Sequence, residues 1–147
     1  MTTTYDFTDG SITGVPVVTQ TTLRENETTI LRQLVDLTKQ NLAHGTTDIA
    51  QCLIIPAGTT VLTAWIRVIT AGSSSATCTL GATENSQPAV WGTALALSGA
   101  TGTTLGALFD PVYFDAAGTV DITSGGATDI LGKYEVCALC VKSLNTY

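Results

Sequence analysis

Charge is what this chain has least of. Only 12% of its 147 residues are Asp, Glu, Lys or Arg, about half the usual share. Six are basic and twelve acidic, for a net charge of −6. The six basic residues are scattered from Arg24 to Lys142, whereas a groove for nucleic-acid phosphates needs them clustered. Histidine occurs once, as His44, at the end of a segment that patterns as a helix. There its charge would only complement the helix dipole. No GxSxG elbow, P-loop or dinucleotide fingerprint is present, so nothing prepares a nucleophile or cradles a nucleotide, and no enzyme is expected. No apolar run is long enough to span a bilayer. The opening MTTTYDFTDGSITG has neither a basic n-region nor an apolar h-region, so no secretory signal and no membrane partner are expected.

Cysteine is sparse too, at positions 52, 78, 137 and 140. A chain of this length can bury a core without staples, and with no export signal the four read as reduced thiols of a protein made in a cytosol. Cys137-Ala-Leu-Cys140 has the spacing of a metal knuckle. It lies, however, in Tyr134-Glu-Val-Cys-Ala-Leu-Cys-Val-Lys142, which alternates and holds no turn residue. Positions three apart on a strand face opposite ways, so the two thiols should not share a metal. Asp110, Asp115, Asp121 and Asp129 form no Asp-x-Asp loop and read as turn carboxylates. No metal and no cofactor are expected.

What the chain has in abundance is threonine, roughly a fifth of its residues, with many Gly, Ala and Ser. Threonine suits a pleated, half-buried surface, and the small residues suit turns. From residue 48 onward the pattern is β, with candidate strands at 49–55, 61–71, 76–83, 90–97, 105–109, 111–115, 119–123 and 134–143. The strongest local signal is 52–71. Pro56 fixes φ and Gly58 accepts positive φ, so Pro-Ala-Gly should fold 52–55 back on 61–69 as a core hairpin. In its second strand Leu62, Ala64, Ile66 and Val68 alternate with Thr63, Trp65 and Arg67, which places the first set inward.

Ahead of this region, residues 22–45 pattern as one amphipathic α-helix. Thr22-Leu-Arg-Glu25 fits a capping box and Gly45 a C-cap. Leu23, Ile30, Leu34 and Leu37 fall on one line, and Leu31, Val35 and Leu42 on a second about 100° away. So wide a stripe fits a helix that touches both its own sheet and a neighbouring subunit, or one half-sunk in its own domain. Residues 1–21 are polar and read as an extended N-terminal arm held by docking, or as a frayed tail. The expected fold is therefore mainly β: an arm (1–21), a helix (22–45) and a single β-sandwich or jelly-roll-like domain (46–147).

The aromatics Trp65, Trp91, Tyr113 and Phe114 have two readings, a sugar-stacking platform or a subunit contact. Trp65 lies off the apolar line, on the Arg67 face, which favours the contact. Taken with the arm, the helix, Ile55-Pro-Ala-Gly-Thr-Thr-Val-Leu62, Phe114-Asp-Ala-Ala-Gly-Thr-Val-Asp-Ile122 and the closing Lys133-Tyr-Glu-Val strand, the chain resembles small virion proteins of tailed bacteriophages. The nearest type is the capsid decoration, or cement, protein. The resemblance implies a homotrimer, made in the host cytoplasm and carried on the virion surface, that bridges major capsid proteins and stabilises the head. Other head-fibre, neck or tail proteins, and a carbohydrate-binding module using Trp65 and Trp91, are the alternatives. The residues expected at interfaces are Tyr5, Phe7, Leu23, Ile30, Leu34, Leu37, Trp65 and Arg67, with the arm gripping the capsid.

Overall fold

Alternating β-branched and polar residues, broken at short intervals by Gly, Ser and Pro, give a chain that pairs strands almost throughout. The computed structural model describes residues 4–6, 28–43, 48–126 and 128–142. Ten strands lie within them: β1 (Thr4–Asp6), β2 (Thr28–Asp36), β3 (Ile49–Ile55), β4 (Thr59–Thr70), β5 (Thr77–Ala82), β6 (Gln87–Ala96), β7 (Thr104–Gly106), β8 (Val112–Phe114), β9 (Gly118–Ser124) and β10 (Lys133–Lys142). They form two sheets. The first runs β1-β3-β9-β5-β6 and the second β2-β10-β4-β7, with β8 also paired to β4. All pairings are antiparallel except β1 on β3.

One buried apolar cluster, from Leu31 on β2 to Cys140 on β10, draws on both sheets. Trp91, Tyr134 and Phe114 are the largest side chains fully buried in it. At one margin the two sheets meet: the Leu108 amide donates to the Trp91 carbonyl on β6 at 3.4 Å, and the Trp91 indole Nε1 donates to the Asp110 carbonyl at 3.0 Å.

Three expectations need correction. The first is the helix. Residues 28–36 are a strand, in unbroken register with β10 from Asp36↔Lys133 to Thr28↔Val141. The long strand β10 offers a free row of backbone groups beside β2, and satisfying them along the whole segment outweighs the modest helix preference of Leu, Arg and Gln. The proposed caps at Thr22 and Gly45 lie outside the described residues.

The second is the hairpin. Gly58 does take positive φ (79°), and the chain does reverse at Pro-Ala-Gly, but β3 and β4 belong to different sheets. The Gly58 amide donates to Phe114 O on β8, at 2.7 Å, so the turn carries the chain across the core. Both strands are apolar enough to find partners elsewhere, β3 with β9 and β4 with β10.

The third is the facing of Leu62. A register shift against Leu139/Cys140 marks a bulge in β4. It adds one residue between Val61 and Thr63, so Thr59, Val61, Ala64, Ile66 and Val68 are buried and Leu62 is only half-buried. A bulge reverses the parity of every side chain before it.

Beyond the strand edges, Asp36 anchors the β2 exit. Its Oδ1 accepts from the Thr38 amide at 2.9 Å and from the Thr38 hydroxyl at 2.5 Å, and Oδ2 lies 3.5 Å from Lys133 Nζ. Nearby, Tyr134 points its hydroxyl into a cradle of two glycines and donates to the Leu131 carbonyl. A Cβ at Gly132 would stand 2.5 Å from the Thr70 carbonyl oxygen and 2.6 Å from that hydroxyl.

Candidate functional site

The outer face of the second sheet gathers four of the eight residues expected at an interface. Its side chains stand in cross-strand rows fixed by register. Leu34 on β2, Glu135 on β10 and Arg67 on β4 make one row. Arg32, Cys137 and Trp65 make the next, which ends on Gly106 of β7. Ile30, Leu139 and Thr63 make the third. Thr28, Val141, Thr60 and Tyr113 of β8 make the fourth.

This face is mixed in chemistry. Ile30 is 40% exposed, and Leu34, Trp65 and Leu139 are half-buried. The Arg67 guanidinium pairs with Glu135 at 3.3 Å. Being largely exposed, that pair adds little stability, yet it neutralises two charges in the middle of the sheet. A face on which apolar side chains surround a matched Arg67–Glu135 pair, with Arg32 exposed toward its β2 edge, is one that a partner surface can cover at modest desolvation cost.

Of the residues singled out from sequence, Ile30, Leu34, Trp65 and Arg67 lie together here. They meet through strand pairing, since positions 30 and 34 share a face at either period. Leu37 does not join them: it is fully buried, its amide bonded to Gly132 O at 2.8 Å. Tyr5 sits on the short strand β1, opposite Ala50 at the far edge of the other sheet. Phe7 and Leu23 lie outside the described residues. Trp91 is fully buried in the core, which removes it from any sugar-stacking platform.

The thiols are structural. None of the four forms a disulfide and all are buried. Cys137 faces outward, 3.7 Å from Glu135 Oε1, whereas Cys140 sits on the core side, 3.7 Å from the Ala138 carbonyl. Burial pushes Cys78 and Cys140 up to about 12, and burial together with the Glu135 charge pushes Cys137 up to about 11. They are protonated at neutral pH and poor nucleophiles. The aspartates are not brought together either. Asp121 lies mid-strand on β9 with its carboxylate on the Thr83 amide at 3.0 Å, where a turn position was expected. Asp129 accepts from Asn41 Nδ2 at 2.7 Å, and Asp115 from the Ala116 amide at 2.9 Å. Among the described residues no three or more His, Cys, Asp and Glu side chains converge on a metal-sized site.

A second region was not legible from sequence. After β7 the chain passes through positive φ at Gly106 (88°) and at Ala107 (68°) and then displays Leu108 and Phe109, which are 56% and 70% exposed. Four hydrogen bonds pin this turn. Besides the two from Leu108 and Trp91 at the sheet margin, the Ala107 amide donates to Ala64 O at 2.9 Å and the Thr63 hydroxyl to Leu108 O at 2.8 Å. Just beyond it, an open cleft of about 640 Å³ is lined by Asn85, Ser86, Gln87, Pro111, Val112, Tyr113 and Asp115. The 3-10 turn Thr83–Asn85 and the left-handed Ser86 (φ 58°) shape one wall, and β8 shapes the other. Asn85 Nδ2 ties the walls together by donating to Tyr113 O at 3.3 Å.

Compared with known proteins, the chain matches no family model, no curated protein and no solved structure. The case for a function therefore rests on the geometry above.

Proposed function

We propose that this protein is a structural component of a virion, a decoration protein of the tailed-phage type that binds the outer surface of the head and bridges major capsid proteins. The observation that carries the reading is the outer face of the second sheet. It holds partly exposed Ile30, Leu34 and Trp65 in register on one broad surface, with the Arg67 and Glu135 charges matched within it. Such a face suits a subunit contact, and we assign it to self-association as a homotrimer, leaving other surfaces for the capsid.

The chain path adds support. It switches between sheets from β3 to β4, from β4 to β5, from β6 to β7, from β8 to β9 and from β9 to β10. This alternation favours a sandwich of jelly-roll type, a compact module suited to repeating over a shell. Many modest contacts repeated across a capsid stabilise it by multivalency, with no single tight site. The protein has no catalytic part in this reading.

The arm takes a narrower role than its sequence suggested. Residues Thr4–Asp6 pair with Ile49–Gln51 of the same chain, and the rest of the arm to which capsid gripping is assigned lies outside the described residues. The test is to add purified protein to expanded heads built from the phage's own major capsid protein and image them in negative stain. Density at regular sites across the shell is expected. Attachment confined to one vertex would make this a neck or fibre component instead, and no attachment would overturn the virion role.

A further inference from the structure

We infer that the cleft between the Thr83–Asn85 turn and β8 is a binding site for a neutral carbohydrate chain. Polar and uncharged side chains dominate its lining: Asn85, Ser86 and Gln87 on one wall face Tyr113 and Asp115 on the other. Among the described residues no Lys, Arg or His lines it, so a phosphate, sulfate or acidic peptide finds no counter-charge there. Among the described residues Asp115 is the only charged one in the lining, and one carboxylate is too few for a divalent cation held by protein oxygens. What the lining does match is a ligand rich in hydroxyls. Amide groups and a carboxylate together donate to and accept from such groups in either direction.

The aromatic content gives the site its second half. Tyr113 points outward from β8 between the buried Val112 and Phe114 and remains 49% exposed. A phenol ring held on a strand offers an apolar face to the C–H side of a pyranose, where dispersion and area burial act together. Phe109, two residues before Pro111, is 70% exposed, the most of the large apolar side chains among the described residues.

Both walls are preorganised, which lowers the ordering cost of binding. The Ser86 amide caps its turn on Thr83 O at 3.0 Å, and the Trp91 indole holds Asp110 O at the start of the β8 wall. The cleft adjoins the Trp65 face, whose fourth row ends on Tyr113, and its ligand binding does not depend on attachment to a capsid. It also differs from a platform of Trp65 and Trp91, since Trp91 is buried.

The experiment titrates the full-length protein with cellohexaose, chitohexaose, mannohexaose and maltohexaose at millimolar concentration, by calorimetry and by amide chemical shifts. At least one should bind and shift the amides of Asn85 to Gln87 and of Tyr113. Tyr113→Ala should weaken that binding roughly tenfold, the loss of one stacked ring. Gln87→Ala, at an exposed position, gives a second reading in which the fold is not at risk, with thermal melting as the control. Absence of binding by all four sugars overturns the proposal. Binding that persists unchanged in both variants, or that shifts amides elsewhere, overturns it equally.

Discussion

The Tyr134 hydroxyl is fully buried yet hydrogen-bonded, and the two glycines around it leave no spare space. Burial, with the nearby Cys78 a smaller contributor, raises its pKa far above the usual phenol range, so it stays a donor at any pH the fold survives. Tyr134→Phe removes that donor and leaves the Leu131 carbonyl without it, at a cost of about 1–2 kcal/mol. Gly132→Ala should cost more, because its Cβ would meet a backbone oxygen and φ at 132 is +115°, a conformation side chains rarely adopt. Urea midpoints of the two variants check the order, and equal midpoints would show that the cradle is not tight. Asp36 gives a pH-dependent prediction. Burial alone would raise its pKa, but the Thr38 hydrogen bonds and the Lys133 charge more than offset this, and the net shift is downward from 3.8. The resulting stabilisation is complete above the unfolded value and is lost as pH falls through the folded one. Asp36→Asn should therefore flatten the fall in stability between neutral pH and about pH 3, near and below the ordinary carboxylate range. An unchanged acid limb would place the sensitivity in another carboxylate.

Strand β2 shows what a segment gains and gives up by joining a sheet. Its inward row holds Leu31, Gln33 and Val35, all fully buried. The Gln33 carboxamide meets no hydrogen-bonding partner among the described residues, which is a desolvation cost set against nine-residue pairing with β10. Gln33→Met keeps the volume and removes the unpaired amide, so its melting temperature should rise, by an amount worth about 1–3 kcal/mol. A fall would mean that the amide finds a partner in solution. The same strand explains why its sequence reads as a helix. Ile30 with Leu34, and Leu31 with Val35, are four apart, a spacing that puts them on one side at a period of 3.6 and also at a period of 2. Only Gln33, polar yet inward, and the pairing need of distant β10 separate the two cases, and neither is visible locally. From residue 48 onward the strands were legible because Gly, Ser and Pro punctuate them at short range. Their partners were not, since apolar β3 and β4 fit a hairpin and a sheet crossing equally well. The bulge in β4 was hidden for a related reason: an extra residue leaves no compositional mark, yet it turns Leu62 out and Val61 in. Val61→Ala should thus destabilise more than Leu62→Ala, although leucine loses more atoms. Ile66→Ala, fully buried, should cost about 2–5 kcal/mol. Chemical denaturation of the three variants tests the ordering.

At the scale of the whole molecule, the two sheets differ in what they offer a partner. The first sheet ends in the short β1 on one side and folds toward β7 on the other. The second presents a broad outer face whose apolar side chains come from three strands, and Trp65 stands near its middle, opposite Gly106. Gly106 offers the indole no side chain across that pair, and in the proposed trimer a partner subunit supplies a contact there. Central aromatics of this kind commonly contribute about 2 kcal/mol or more to association, or roughly thirtyfold in the binding constant. If the protein is the proposed homotrimer, Trp65→Ala should shift it toward monomer in sedimentation equilibrium, and Ile30→Lys, which puts an unpaired charge on the same face, should do so more completely. Ile30 is 40% exposed, so Ile30→Lys should change thermal melting of the monomer little, whereas Trp65→Ala at its half-buried position should lower it somewhat. If both variants sediment as the wild type does, this face is not the subunit contact and any association must use another surface. If they become monomeric and also lose attachment to heads, the affinity for the shell comes from engaging several sites at once, as multivalent binding requires.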